Sequence, residues 1–142
     1  MSADSNKALV QRHFDEVLNA CSLAAVDEIY SDGVVFHGPQ GVICGRGAIK
    51  EWIGMMHYSF EGFCAEVGLM IAEEDRVVAK VTARAFHAKP FMGMPASLRH
   101  VVMPMTLIFR VENDKIAELE NVYDSKGFSE DLGAPVPLMK KL

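Results

Sequence analysis

The sequence predicts an α+β fold, with three N-terminal helices packed on one face of a curved, mainly antiparallel sheet. Three observations carry that prediction. Apolar residues recur at helical spacing only before Gly62. After Gly62, segments 63–73, 76–87, 98–112 and 115–124 read as four long strands. Two of their junctions, "EEDR" at 73–76 and "END" at 112–114, have the turn chemistry of hairpins. Helices followed by a strand meander leave a concavity between the two layers, the default place for a ligand.

Ser5 is placed to cap a first helix over 6–20, where Leu9, Val10, His13, Phe14, Val17 and Leu18 follow helical spacing. Ser22 caps a shorter helix carrying Leu23, Val26, Ile29 and Tyr30. "SDG", 31–33, reads as a turn, and "VVFHGP", 34–39, as a short strand stopped by Gly-Pro. "GRG", 45–47, opens a third helix with Ile49, Trp52, Ile53, Met56 and Phe60 on one stripe. "KPFMGMPAS", 89–97, is a longer loop, and "SKGFSEDLG", 125–133, forms a last helical turn. Two prolines forbid regular structure in 134–142, which reads as a C-terminal tail. No repeat or second domain is visible, so 1–142 reads as one domain.

The net charge of -5 and pI of about 5.5 argue against a nucleic-acid or anionic-membrane partner, since both need a basic patch. Apolar runs such as Val101–Met105 are far too short to span a bilayer. Residues 1–7 lack the basic-then-apolar order of a signal peptide. Cys21, Cys44 and Cys64 are odd in number and lack metal-ligand spacing. They fit a reducing, cytoplasmic setting and are expected to be buried, inert thiols. No pair of histidines has ligand spacing, so no metal is expected. "GVICGRG", 41–47, lacks the lysine of a phosphate loop, and no Ser or Cys sits in an elbow motif. The expectation is a protein that needs no cofactor.

Three pieces, taken in order, resemble one family. "FDEVLNACSLAAVDEIYSDGVVFHGP" resembles the opening of SnoaL-like proteins, part of the NTF2-like superfamily. "FHAKPFMGMPAS" is similar to their signature loop, in which a strand-end His precedes a Gly-Met-Pro turn. "RVENDKIAELENVYDSKG", followed by "DLGAP", resembles their last hairpin and C-terminal end. The likeness runs over about residues 6–135. It implies a cone-shaped α+β barrel around a deep pocket, a homodimer, and polyketide cyclisation by aldol chemistry without a cofactor. In that family a carboxylate on the last strand is the acid/base, assisted by a histidine on the strand before. Here the carboxylate position is Asn121 and the histidine position is Leu107. The signature His is retained as His87, and the loop as Gly93, Met94 and Pro95. Related members act as isomerases, epoxide hydrolases, hydroxylases and non-catalytic binders, so the fold alone does not settle the reaction.

The resemblance places Asn121 on the pocket face. Period two then turns Leu119 and Tyr123 inward, and Glu118, Glu120 and Asp124 away. Leu107 inward implies the same for Val101, Met103, Met105 and Phe109. On 76–87 the inward set is Val77, Val81, Ala83, Ala85 and His87. Leu18, Trp52 and Phe91 are expected to join this wall. Met55, Met56, Met92 and Met94 either soften it for an apolar ligand or pack the core. His37 is a polar pocket candidate or an exposed edge residue. His57 and Tyr58 reach the mouth or cap the surface, and His13 and His100 are structural or exposed. His87 is the leading acid/base candidate, with an ordinary pKa of about 6.5, or else a bond to the following loop. Asn121 is a polarising donor or a structural amide. Asp124 is the nearest replacement carboxylate or a helix cap. The expected function is a cofactor-independent isomerase or cyclase for a hydrophobic polyketide-like or polycyclic small molecule. The alternative is a non-catalytic binder of an apolar ligand, since Asn121 and Leu107 replace the family's acid and histidine.

Overall fold

A computed structural model gives the structure over residues 2–39 and 41–132. Helix α1 spans Ala3–Arg12, and its cap is Ser2 rather than Ser5. The Ser5 N–H donates to the Ser2 hydroxyl and the Ser2 N–H donates to the Ser5 hydroxyl, both at 3.0 Å. This reciprocal box satisfies two end donors at once, which a cap at Ser5 would leave open. The first helical pattern is also two structures. From His13 to Asn19 the chain widens into a π-helical stretch, a rare geometry concentrated at functional sites.

Helix α2, Leu23–Ile29, is capped by Ser22 as expected, the hydroxyl accepting from the Ala25 N–H at 3.2 Å. Tyr30 leaves the helix and begins strand β1, Tyr30–Gly38. "SDG" is therefore strand, not turn. Its pairing with β6 slips register between Tyr30 and Val35, and the Arg46 guanidinium binds the Tyr30 carbonyl and Asp32. The turn propensity is absorbed by a bulge that side-chain bonds hold in place. Strand β2, Gly41–Cys44, was not foreseen; it is four residues long and pairs with β1 alone.

Helix α3 spans Arg46–Ser59, and β3, Phe60–Glu73, follows without a loop. Phe60 is thus strand rather than helix, and Gly62 (φ 64°) sits at a bulge inside β3 instead of ending the helical half. Strands β4, Arg76–His87, β5, His100–Glu112, and β6, Lys115–Tyr123, match the sequence expectation within two residues. The β5–β6 turn uses Asn113 and Asp114, both at positive φ, as tight hairpins demand. Helix α4, Ser125–Asp131, comes last. The predicted tail, 134–142, lies outside the described residues.

The sheet runs β2-β1-β6-β5-β4-β3, antiparallel except for the parallel β1–β6 pair. It is not closed. The helix layer bridges its two sides: α1, the π-helical stretch and α3 touch β3, while α2 and α3 touch β1. Inward residues of β4 and β5 alternate with outward ones, as do those of β6 after the register shift at Ile116 and Ala117, and Val77, Val81, Phe109 and Leu119 meet Phe14, Val17 and Ile53 in the core. The three thiols are free but not buried: Cys44 and Cys64 are exposed on the edge strands, and Cys21 is half-buried. Among the described residues, no helix is long and apolar enough to cross a membrane.

Candidate active site

Between helices and sheet lies a cavity with an apolar wall. Leu18, Trp52 and Met56 face it from the helices, and Met103, Met105, Leu107, Asn121 and Tyr123 from β5 and β6. Phe91 reaches it from the 89–97 loop. These nine are where the sequence reading placed them. The register explains it: Met105 pairs with Tyr123 and Leu107 with Asn121, so inward residues of both strands fall in shared rows.

Four expected residues lie elsewhere. His37 is on the other face of the sheet, its Nε2 2.9 Å from the Glu118 carboxylate. That bond, and Arg110 next to it, hold the Glu118 carboxyl below its ordinary range. Asp124 is exposed and caps α4, accepting from the Gly127 N–H at 2.9 Å. Met94 packs against the core from the loop without lining the cavity. His87 is fully buried behind the cavity wall, stacked on Phe60 at 5.0 Å. Its Nδ1 accepts from the Ser97 N–H at 3.1 Å and lies 2.9 Å from the Ser97 hydroxyl. A backbone N–H can only donate, so neutral His87 carries its proton on Nε2, which has no well-aligned hydrogen-bond partner among the described residues. Burial lowers the His87 pKa.

The loop after His87 is built around one tight turn. Phe91 and Met94 exchange both backbone hydrogen bonds at 2.9 Å, with Met92 and Gly93 at positive φ between them. That geometry points Phe91 inward and leaves Met92 exposed; Met55 is exposed too, on the far side of α3. The Ser59 hydroxyl anchors the loop at the Pro90 carbonyl, 2.7 Å away. Tyr58 is exposed under the Lys89 ammonium, and the His57 ring bonds the Leu18 carbonyl at 2.6 Å. His100 is exposed.

The sequence reading missed His13, along with Phe36, Phe60, Phe63 and Phe128, all of which line the cavity. His13 had a signal: it stands between Leu9 and Val17 at i±4, on the buried stripe. It is 3% exposed, and its Nδ1 meets the Tyr30 hydroxyl. Of the buried polar side chains described, only His13 and Asn121 line the cavity. Each holds one buried polar atom without a hydrogen-bond partner among the described residues, Nε2 in His13 and Oδ1 in Asn121. No Asp or Glu is among the described lining residues.

An open α+β cone with an apolar cavity between its layers defines the class of fold, and the comparisons narrow it. The family model for SnoaL-like polyketide cyclase matches residues 8–132. The chain belongs to the SnoaL-like polyketide cyclase family. No curated protein matches its sequence. Among solved structures it is similar to a Jannaschia sp. CCS1 protein described as a SnoaL-like polyketide cyclase, with 20% identity over 94% of each chain and a TM-score of 0.87. It is also similar to TsrD from Streptomyces laurentii, at 21% identity over 95% of this chain and 99% of that one, TM-score 0.84. AclR from Streptomyces galilaeus, described as a hydroxylase, matches at 23% identity over 93% and 98%, TM-score 0.80. At these identities the likeness is one of fold.

Proposed function

We propose that the protein is a cofactor-independent cyclase or isomerase for a hydrophobic polyketide-like or polycyclic ketone. The observation that carries this reading is Asn121, an amide whose buried oxygen has no partner among the described residues, in a mainly apolar wall. An amide donates and accepts, so it suits a substrate that passes between ketone and enol. In a ring closure of aldol type, a methylene C–H loses its proton, a C–C bond forms to the ketone carbon, and the oxygen gains a proton. The Asn121 Nδ2–H would donate to that oxygen as charge develops on it, and Oδ1 would accept from the enol hydroxyl. His87 enters as the proton carrier. To act, its ring must trade the Ser97 N–H for the Ser97 hydroxyl as partner of Nδ1, and Phe60 must turn aside.

The test offers the protein an anthraquinone keto ester bearing an activated methylene and follows ring closure by chromatography. The expected result is turnover that Asn121→Leu lowers about a hundredfold. A His87 base also predicts a rate that holds through the ordinary imidazole range and falls only at lower pH, because the ring must stay neutral and burial has lowered its pKa. A rate that stays flat at lower pH too removes His87 from the chemistry. A second reading, a non-catalytic binder, is favoured by the absence of any carboxylate among the described lining residues. Binding of the keto ester without turnover would select it, and no binding at all would remove both.

The reading includes a homodimer joined through the outer face of the sheet. Val78 and its cross-strand partner Ile108 are exposed there, with Val102 and Val122. Light scattering of the wild type should give twice the chain mass, and Ile108→Lys should halve it. A monomeric wild type ends this part of the reading.

A further inference from the structure

His13 is the cavity residue that the proposed reaction leaves unused. It opens the π-helical stretch, and its ring is clamped edge-on by Phe14 at 4.8 Å, Phe109 at 5.1 Å and Tyr30 at 5.8 Å. Its protonation follows from counting partners. The Tyr30 hydroxyl is buried and meets only Nδ1 among the described residues. If Nδ1 carried the hydrogen, it would donate to the tyrosine oxygen. The hydroxyl proton and the Nε2 lone pair would then both be buried without partners. If Tyr30 donates to Nδ1, only the Nε2–H is left over. Each orphaned buried group is costly, so the second arrangement holds. Desolvation keeps both rings neutral, holding the imidazole pKa down at about 3 and raising that of the phenol.

The cavity wall therefore contains a fixed N–H donor as well as an amide. Phe109, which His13 touches, is one inward step along β5 from Leu107, the partner of Asn121. One such step is about 7 Å. His13 thus packs against the row of the sheet next to the one that holds Asn121.

We propose that His13 is a substrate-binding residue whose Nε2–H donates to an oxygen of the bound ligand, and that Tyr30 is the positioning residue that fixes this tautomer. The inference rests on the reading of this cavity as a ligand site and adds to it a second hydrogen-bonding point beside Asn121.

The test has two arms. In the first, nitrogen-15 NMR of the unliganded wild type reads the His13 tautomer, assigned through its contact with Phe109. A neutral Nε2–H ring is expected, and Tyr30→Phe should mix in the other tautomer. An Nδ1–H ring in the wild type overturns the inference. In the second arm, 1,8-dihydroxyanthraquinone and anthracene are titrated into wild type, His13→Phe and Asn121→Leu. His13→Phe should weaken quinone binding about five- to tenfold, the worth of one hydrogen bond, and leave anthracene unchanged. If Asn121→Leu weakens the quinone and His13→Phe does not, the inference fails while the cavity reading stands. If the wild type binds neither probe, both fail. Should His13→Phe not fold, the wild-type Nε2–H resonance decides: a shift with quinone but not anthracene supports the proposal, and no shift overturns it.

Discussion

A buried tyrosine and histidine that hold only each other are safer removed together than singly. Tyr30→Phe leaves Nδ1 of His13 without a partner, and His13→Phe does the same to the Tyr30 hydroxyl. Each single change is expected to cost about 1–3 kcal/mol, the penalty of one orphaned buried group. The double variant orphans nothing and keeps two rings in the same aromatic cluster with Phe14 and Phe109. Its loss should fall short of the sum of the singles by about 1 kcal/mol or more in urea denaturation. Strict additivity would mean that the two groups do not interact. His13 was legible in the sequence as a member of a buried stripe. Its chemistry was not, because its partner stands where α2 gives way to β1, a boundary that the "SDG" propensity obscured. Asn121 was legible because the family resemblance placed it on the pocket face, from which period two set the faces of its neighbours on β6.

At the scale of elements, the π-helical stretch ends on a side chain that behaves like a piece of strand. Asn19 donates from Nδ2 to the Ala65 carbonyl at 3.0 Å and accepts the Ala65 N–H at 2.7 Å. Ala65 lies just beyond the Gly62 bulge, on the edge strand β3. The amide thus occupies two backbone groups on an edge that would otherwise present them to another chain. Asn19→Ala should destabilise the fold by about 2 kcal/mol and speed amide exchange in the first half of β3. Unchanged exchange there would refute the role. The long strands β4, β5 and β6 could be read from alternation because each buries one face along its whole length. Strand β2 could not: four residues, mostly exposed, give no alternation to read. The π-helical stretch was invisible for another reason. Its apolar spacing fits an ordinary helix equally well.

At the scale of the whole molecule, the sheet order has a consequence in time. Strands β3 to β6 are sheet neighbours in sequence order, joined by two tight turns and, between β4 and β5, the 88–99 loop. Strand β1 instead lies beside β6, so that Tyr30 faces Ile116 across most of the chain. Closing that loop costs entropy before any contact returns it. The meander should therefore nucleate folding and β1 should dock afterwards. Val81→Ala, in the meander, should slow folding, whereas Val34→Ala, in β1, should mainly hasten unfolding. Equal effects on the folding rate would reverse this order. Because Tyr30 arrives with β1, the donor ring of His13 acquires its orientation only at the last step. A chain caught short of that step would have a nearly complete sheet and an unformed active site.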